Sequence, residues 1–211
     1  MNRGSGLVLL PSARQPVGLF AQLRADLPDE RVLAPSLTEL GLDQHPLPLS
    51  RCANAVAEAM GAAGIESATV CGIGVGATLA LQLAADRPEL VASLVLLTRQ
   101  VTLPTMLMSL PAAVLRLLPA ARVQRLGADD AQVLALLDQV RGVDTRAYAA
   151  RVSAAALVVC GARDRVNRHA SATLARSLPE GRLHLVPRAG ADWLTREPGR
   201  LAEVLRHVVR G

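Results

Sequence analysis

Ser12, Cys71, Asp164 and four histidines, His45, His169, His184 and His207, are the residues whose types could carry nucleophilic chemistry in this chain. That chemistry needs a hydroxyl or thiol, an imidazole to take its proton and an acid to orient the imidazole. A second kind of chemistry needs only backbone. Thr69-Val70-Cys71-Gly72-Ile73-Gly74-Val75-Gly76-Ala77-Thr78 reads as the end of a strand, a very tight turn and the start of a helix. Such a turn aims the N–H groups of Val75, Gly76 and Ala77 at whatever lies above the strand, an arrangement suited to an anion or a carbonyl oxygen.

These residues have to be positioned by the elements around them. Gly6–Leu10 is a continuous apolar run ended by Pro11-Ser12, as expected for a strand covered on both faces. Val17–Leu27 suits a helix, and Arg31–Pro35 a short second strand. Ser50 is placed to cap a helix running through Ala63, with Cys52, Val56, Met60 and Ala63 on one face and Gly61 or Gly64 at its exit. Further strands are expected at Ser67–Cys71, Val91–Leu97, Ala154–Cys160 and Arg182–Val186. Helices are expected at Val75–Asp86, near His169–Leu178, and at the C-terminus, where Leu201, Val204, Leu205 and Val208 share a face. Alternation of strand and helix predicts the α/β class, with a doubly wound, mostly parallel sheet of about six strands. More than 50 residues without a strand signal separate the fourth and fifth strands, so an inserted helical cap is expected at about 100–152 within a single domain spanning 1–211.

Composition narrows the function. Hydrophobic residues make up 51% of 211 but aromatic residues only 1%, so the core must be built from Ala, Leu and Val. All 23 basic residues are arginine, and the net charge of +5 comes without the stacking aromatics that single-stranded nucleic acid requires; no nucleic-acid partner is expected. Cys52, Cys71 and Cys160 are odd in number and lack metal-ligand spacing, so they read as reduced, buried residues and no metal is expected. The run Gly6–Leu10 is too short for a signal-peptide core, which makes a cytoplasmic location the expectation. Val101–Leu118 is membrane-like in composition but interrupted by Pro104 and Pro111, whereas a spanning helix needs about 20 apolar residues. It reads as a pocket-facing part of the cap, and no transmembrane segment is expected.

Gly72-x-Gly74-x-x-Ala77 satisfies a loose dinucleotide-binding pattern, but Thr98, Arg99 and Gln100 stand about 20 positions on, where an acidic residue would hold the ribose. The chain as a whole resembles the α/β-hydrolase superfamily. The resemblance is carried by Leu9-Leu10-Pro11-Ser12, where that family has a strand followed by His-Gly, and by the turn at Gly72–Gly76, where it has G-x-S-x-G. It continues through Ala84–Leu97, through Gly161-Ala162-Arg163-Asp164 and through the loop Val186–Trp193. Mapped through this resemblance, the nucleophile position holds Gly74, the acid position retains Asp164 and the histidine position holds Ala191. The resemblance therefore implies a degenerate member, without serine hydrolase activity of the usual kind. Cys71 precedes the turn and should point into the sheet, and none of the four histidines falls where it would face the turn. Ser12, at the tip of the neighbouring strand, is the more interesting hydroxyl.

Three functions follow from the resemblance. The first is a pseudo-hydrolase that binds an apolar or mildly anionic small molecule, in a pocket formed by Pro11, Ser12, Ile73, Gly74, Val75, Gly76, Ala191 and Trp193 beneath Met106 and Met108. The second is a non-hydrolytic enzyme such as a cyclase, isomerase or lyase using Asp164 or Ser12. The third is a protein-interaction subunit with a vestigial pocket. No cofactor is implied, and self-association is left open. Without its histidine partner, Asp164 is expected to pair with one of Arg163, Arg165, Arg168 and Arg188 or to bond to backbone.

Overall fold

The computed structural model of the chain describes residues 4–12, 18–41, 49–97, 145–165 and 167–210. Within them lie six strands, β1 (Ser5–Leu10), β2 (Val32–Leu33), β3 (Ser67–Ile73), β4 (Val91–Leu97), β5 (Ala155–Gly161) and β6 (Gly181–Val186). They form one sheet in the order β2-β1-β3-β4-β5-β6. All five pairings are parallel. The helices are α1 (Leu19–Asp26), α2 (Leu49–Ala62), α3 (Val75–Asp86), α4 (Thr145–Ala149), α5 (Asn167–Ser177), α6 (Trp193–Arg196) and α7 (Gly199–Arg210), with one 3₁₀ turn at Pro88–Leu90. Of the expected cap, 100–144 lies outside the described residues, and 145–152 contributes α4.

The strands that read as unbroken apolar runs are the ones buried on both faces. Alternate side chains point to opposite sides of a strand, and β1 divides accordingly. Val8 and Leu10 join Val70, Leu94, Leu96 and Val158 in a core shared with α2, α3 and α5. Leu7 and Leu9 join Cys71, Ile73, Val95 and Val159 in a second core shared with α1 and α7. Helix α3 is buried at every position from Val75 to Ala84, which its Ala- and Leu-rich sequence permits. At the far edge β6 behaves differently, with Arg182, Leu183, His184 and Leu185 all exposed.

Strand β2 is shorter than the expected Arg31–Pro35, β3 runs on past Cys71 to Ile73, and both ends of α2 differ from the sequence expectation. Ser50 lies inside α2, which already includes Leu49, so it does not stand outside the helix as a cap. The helix ends at Ala62 and Ala63 is exposed, because Gly64 turns the chain at φ 66°. There Ile65 N–H donates to the Met60 carbonyl at 2.9 Å and Gly64 N–H to the Gly61 carbonyl at 3.0 Å, a Schellman closure. Arg31 then satisfies the Gly64 carbonyl through Nη1 at 2.9 Å.

Strand β1 lies between β2 and β3, so the chain passes to one side of it for β2 and then crosses to its other side for β3 and the strands that follow. The crevice beyond the C-terminal ends of β1 and β3 is thus the switch point of the sheet, where open α/β folds place ligands. Ser12 and Gly74 are the residues that the chain brings there.

Candidate functional site

The three glycines between β3 and α3 do different work. Gly72 is still in the strand. A Cβ there would stand 2.6 Å from the Ala77 Cα, so its bare backbone is what lets α3 lie against β3. Gly76 is already in the helix, and a Cβ on it would be pressed between the Leu10 carbonyl and the Pro11 carbonyl oxygen, the latter at 2.7 Å. Only Gly74 makes the turn, at φ 58° and ψ −116°, a conformation that side chains other than glycine's occupy at a cost. Its N–H donates to the Leu97 carbonyl at 2.9 Å, which ties the turn to the end of β4.

Ser12 stands over this turn. A Cβ built on Gly74 would lie 2.7 Å from Ser12 Oγ and 3.3 Å from Ser12 Cβ, so the serine of the β1 loop fills the space that a side chain at position 74 would take. The Val75 and Gly76 N–H groups belong to the first turn of α3 and have no acceptor within the helix. The Ala77 N–H does not join them, contrary to the sequence reading, because it donates to the Gly74 carbonyl at 3.0 Å.

Asp164 is 6% exposed and fully engaged. Its Oδ1 accepts from the Asn167 backbone N–H at 3.0 Å and its Oδ2 from Asn167 Nδ2 at 2.6 Å. Its own carbonyl accepts from the Arg168 N–H at 3.1 Å. A side chain that accepts from the N–H three residues on, while its carbonyl takes the first i→i+4 bond, is an N-cap. Of the two alternatives expected for this carboxylate, backbone bonding is the one found; among the described residues no arginine pairs with it. The Asn167 amide is a partner that the sequence reading missed, although the Asp-x-x-Asn spacing before a helix signals a cap. Asp164→Ala should therefore cost about 1–2 kcal/mol in urea unfolding while Asp164→Asn, an equally good cap, costs a few tenths. An equally large loss in both variants would show that the charge, not the cap, is what the fold uses.

The remaining expected site residues separate into several groups. Pro11 is buried at the mouth of the crevice, and Ala191 is exposed in the loop after β6. The side chains of Ile73 and Trp193 are buried in the α1/α7 core at 0% and 6% exposure, so at the crevice Ile73 offers only its backbone. Met106, Met108 and His45 lie outside the described residues. His169, His184 and His207 are exposed, on α5, β6 and α7 respectively, and none bonds to Asp164. Cys71 points into the sheet as expected, and burial pushes its thiol up to about 12, far from a thiolate at neutral pH. No cluster of three metal-ligating side chains occurs among the described residues, and no helix among them is long and apolar enough to cross a membrane.

No protein-family model and no curated protein matches the chain. Solved structures do. An α/β-hydrolase enzyme from the sediment metagenome of the Mar Chica lagoon in Morocco matches with a TM-score of 0.72 at 17% identity, over 98% of this chain and 91% of that one. A hydrolase from Pseudomonas aeruginosa PA01 matches with a TM-score of 0.69 at 19% identity, over 100% of this chain and 92% of its own. The 2-hydroxy-6-oxo-6-phenylhexa-2,4-dienoate hydrolase of Rhodococcus sp. strain RHA1 gives 0.69 at 18% identity, over 99% and 91%. The fold is that of the α/β-hydrolases, with β1, β3 and the turn at Gly74 at its centre.

Proposed function

We propose that this chain is a non-hydrolytic α/β-hydrolase-fold protein that binds an apolar or mildly anionic small molecule at the switch point of its sheet. The observation that carries the reading is the turn itself. Its backbone has the strained form that would present a nucleophile, but the residue there is Gly74, and Ser12 Oγ occupies the space above it. The support from the rest of the site is consistent. Asp164 is committed to Asn167, and the described histidines are exposed elsewhere. The crevice holds a pair of first-turn N–H groups and the Ser12 hydroxyl beside the apolar Pro11 and Val75, which suit a carbonyl or carboxylate oxygen attached to an apolar body.

A second reading, a cyclase, isomerase or lyase, is favoured by one observation, the seat of Ser12 over the turn. There its hydroxyl could donate a hydrogen bond to developing charge. Use of Asp164 as the acid is less well supported, because both of its oxygens already accept.

The test has two arms. Hydrolysis of p-nitrophenyl acetate should remain at the level of non-specific protein, with Ser12→Ala and His169→Ala no lower than the parent. Medium-chain carboxylic acids and their amides should raise the thermal midpoint in a saturable way, and Ser12→Ala should weaken that shift. Turnover abolished by Ser12→Ala would overturn the binding-only reading, and absence of any ligand-dependent shift would leave the interaction-subunit function in its place. A ligand consumed to product would move the assignment to the second reading.

A further inference from the structure

Beyond the crevice, the geometry points to a second site: we propose that the stitched loops after β5 and β6 bind a phosphate-bearing anion through Arg163 and Arg188, with Arg165 and Arg168 adding to the field. The two loops are one unit. Arg163 N–H donates to the Ala189 carbonyl at 2.8 Å and Ala162 N–H to the Val186 carbonyl at 3.0 Å. A Cβ on Gly161 would come within 2.6 Å of the Ala189 carbonyl oxygen, so the loops touch at backbone distance. Arg163, Arg165, Arg168 and Arg188 are all exposed. None makes an ion pair among the described residues, although Arg168 Nη1 lies 3.5 Å from the Ala162 carbonyl.

The local charge is not balanced. The Asp164 carboxylate beneath the loops is turned inward to Asn167, and two of the acids that follow β6 have arginines of their own, Asp192 with Arg196 and Glu197 with Arg200. Four exposed arginines are thus carried by these two loops and the start of α5, against an Asp164 carboxylate that faces inward and an Asp192 carboxylate already paired with Arg196. Exposed arginines in an arginine-rich chain are common, and a second feature sets this group apart. Arg188 has φ 60°, the one described non-glycine residue with positive φ. Such a conformation is disfavoured for a residue with a side chain and persists where the surroundings over-determine it. Here they do: Arg200 Nη2 holds the Pro187 carbonyl at 2.8 Å on one side, and Arg163 N–H holds the Ala189 carbonyl on the other. Glycine would relieve the strain, yet the position carries a long, charged side chain. Guanidinium groups bind phosphate oxygens in a planar, bidentate manner, and a doubly charged group suits several of them better than a lone carboxylate does.

The experiment uses the full chain. Pyrophosphate is titrated by calorimetry at ionic strength held constant with sodium chloride, and flotation is measured on phosphatidylglycerol vesicles against pure phosphatidylcholine vesicles. Saturable binding to pyrophosphate, to the anionic vesicles or to both is expected, and the pattern says whether the phosphate is borne by a soluble molecule or a lipid headgroup. Arg163→Ala and Arg188→Ala should each weaken binding at least tenfold, whereas Arg24→Ala, on α1, should leave it unchanged. Arg188→Gly should bind as poorly as Arg188→Ala while raising the thermal midpoint. Binding of neither probe, or an equal loss in Arg24→Ala, overturns the proposal. So does an Arg188→Gly variant that binds like the parent. The small-molecule thermal shift of the crevice should survive in Arg163→Ala and Arg188→Ala, so the two sites stand or fall separately.

Discussion

Gly76→Ala is expected to cost about 3 kcal/mol or more, a large share of the about 5–15 kcal/mol that keeps a domain of ordinary stability folded. The added methyl group would meet backbone on the facing strand, at the Leu10 and Pro11 carbonyls, and neither can rotate away as a side chain could. Either α3 shifts outward along a helix buried at ten successive positions, or the end of β1 moves and takes Ser12 with it. Gly61→Ala supplies the contrast. Gly61 sits inside α2 with nothing within 4 Å of an added Cβ, and alanine there should stabilise the protein by about 0.5–1 kcal/mol through helix propensity. Urea unfolding of the two variants against the parent checks both. Equal stability of Gly76→Ala and the parent would mean that β1 and α3 are not packed as closely as described.

The contrast also shows how far the sequence could be read. Strand β4 and helix α3 were legible to the residue, because an unbroken apolar run and an Ala/Leu stretch ended by Asp86-Arg87-Pro88 each admit one reading. The six parallel strands followed from the alternation of elements. The work of the three glycines did not. Spacing alone suggests that all three form the turn, whereas Gly72 belongs to β3, Gly76 to α3 and only Gly74 to the turn. Their roles depend on Ala77 and Leu10, neighbours brought near by packing. The same holds for Ser12 and Gly74, separated by 61 intervening positions in the sequence and joined only where β1 pairs with β3. Asn167 was missed for a different reason: its signal is local, a capping spacing, but a carboxylate read for catalysis draws attention away from that plainer role.

The second large effect concerns activity, and it follows from the proposed reading that Gly74 and Ala191 stand where a hydrolase has its nucleophile and base. Gly74→Ser with Ala191→His should fold but hydrolyse p-nitrophenyl acetate no faster than the parent. Three obstacles are visible. A side chain at position 74 adopts the strained φ of 58° at about 1–3 kcal/mol and also meets Ser12 Oγ at 2.7 Å, so the new hydroxyl and the old one compete for one space. An imidazole at position 191 would find Asp164 Oδ2 already bonded to Asn167 Nδ2 at 2.6 Å. On that same reading the loop after β1 presents Pro11-Ser12 at the position that the resemblance assigns to His-Gly, and loss of one oxyanion donor typically slows such enzymes about 10²–10³-fold. Adding Ser12→Gly should clear the space above the turn, and adding Asn167→Ala should release Oδ2 for the imidazole. The quadruple variant should therefore exceed the double by at least about tenfold in single-turnover release of p-nitrophenol, the gain expected from supplying a working base. It should also be the less stable of the two, since Asn167→Ala strips the Asp164 cap of one of its two bonds. If the double variant already turns over as fast as the quadruple, neither Ser12 nor Asn167 obstructs the chemistry, and the silence of the parent rests on the missing serine and histidine alone.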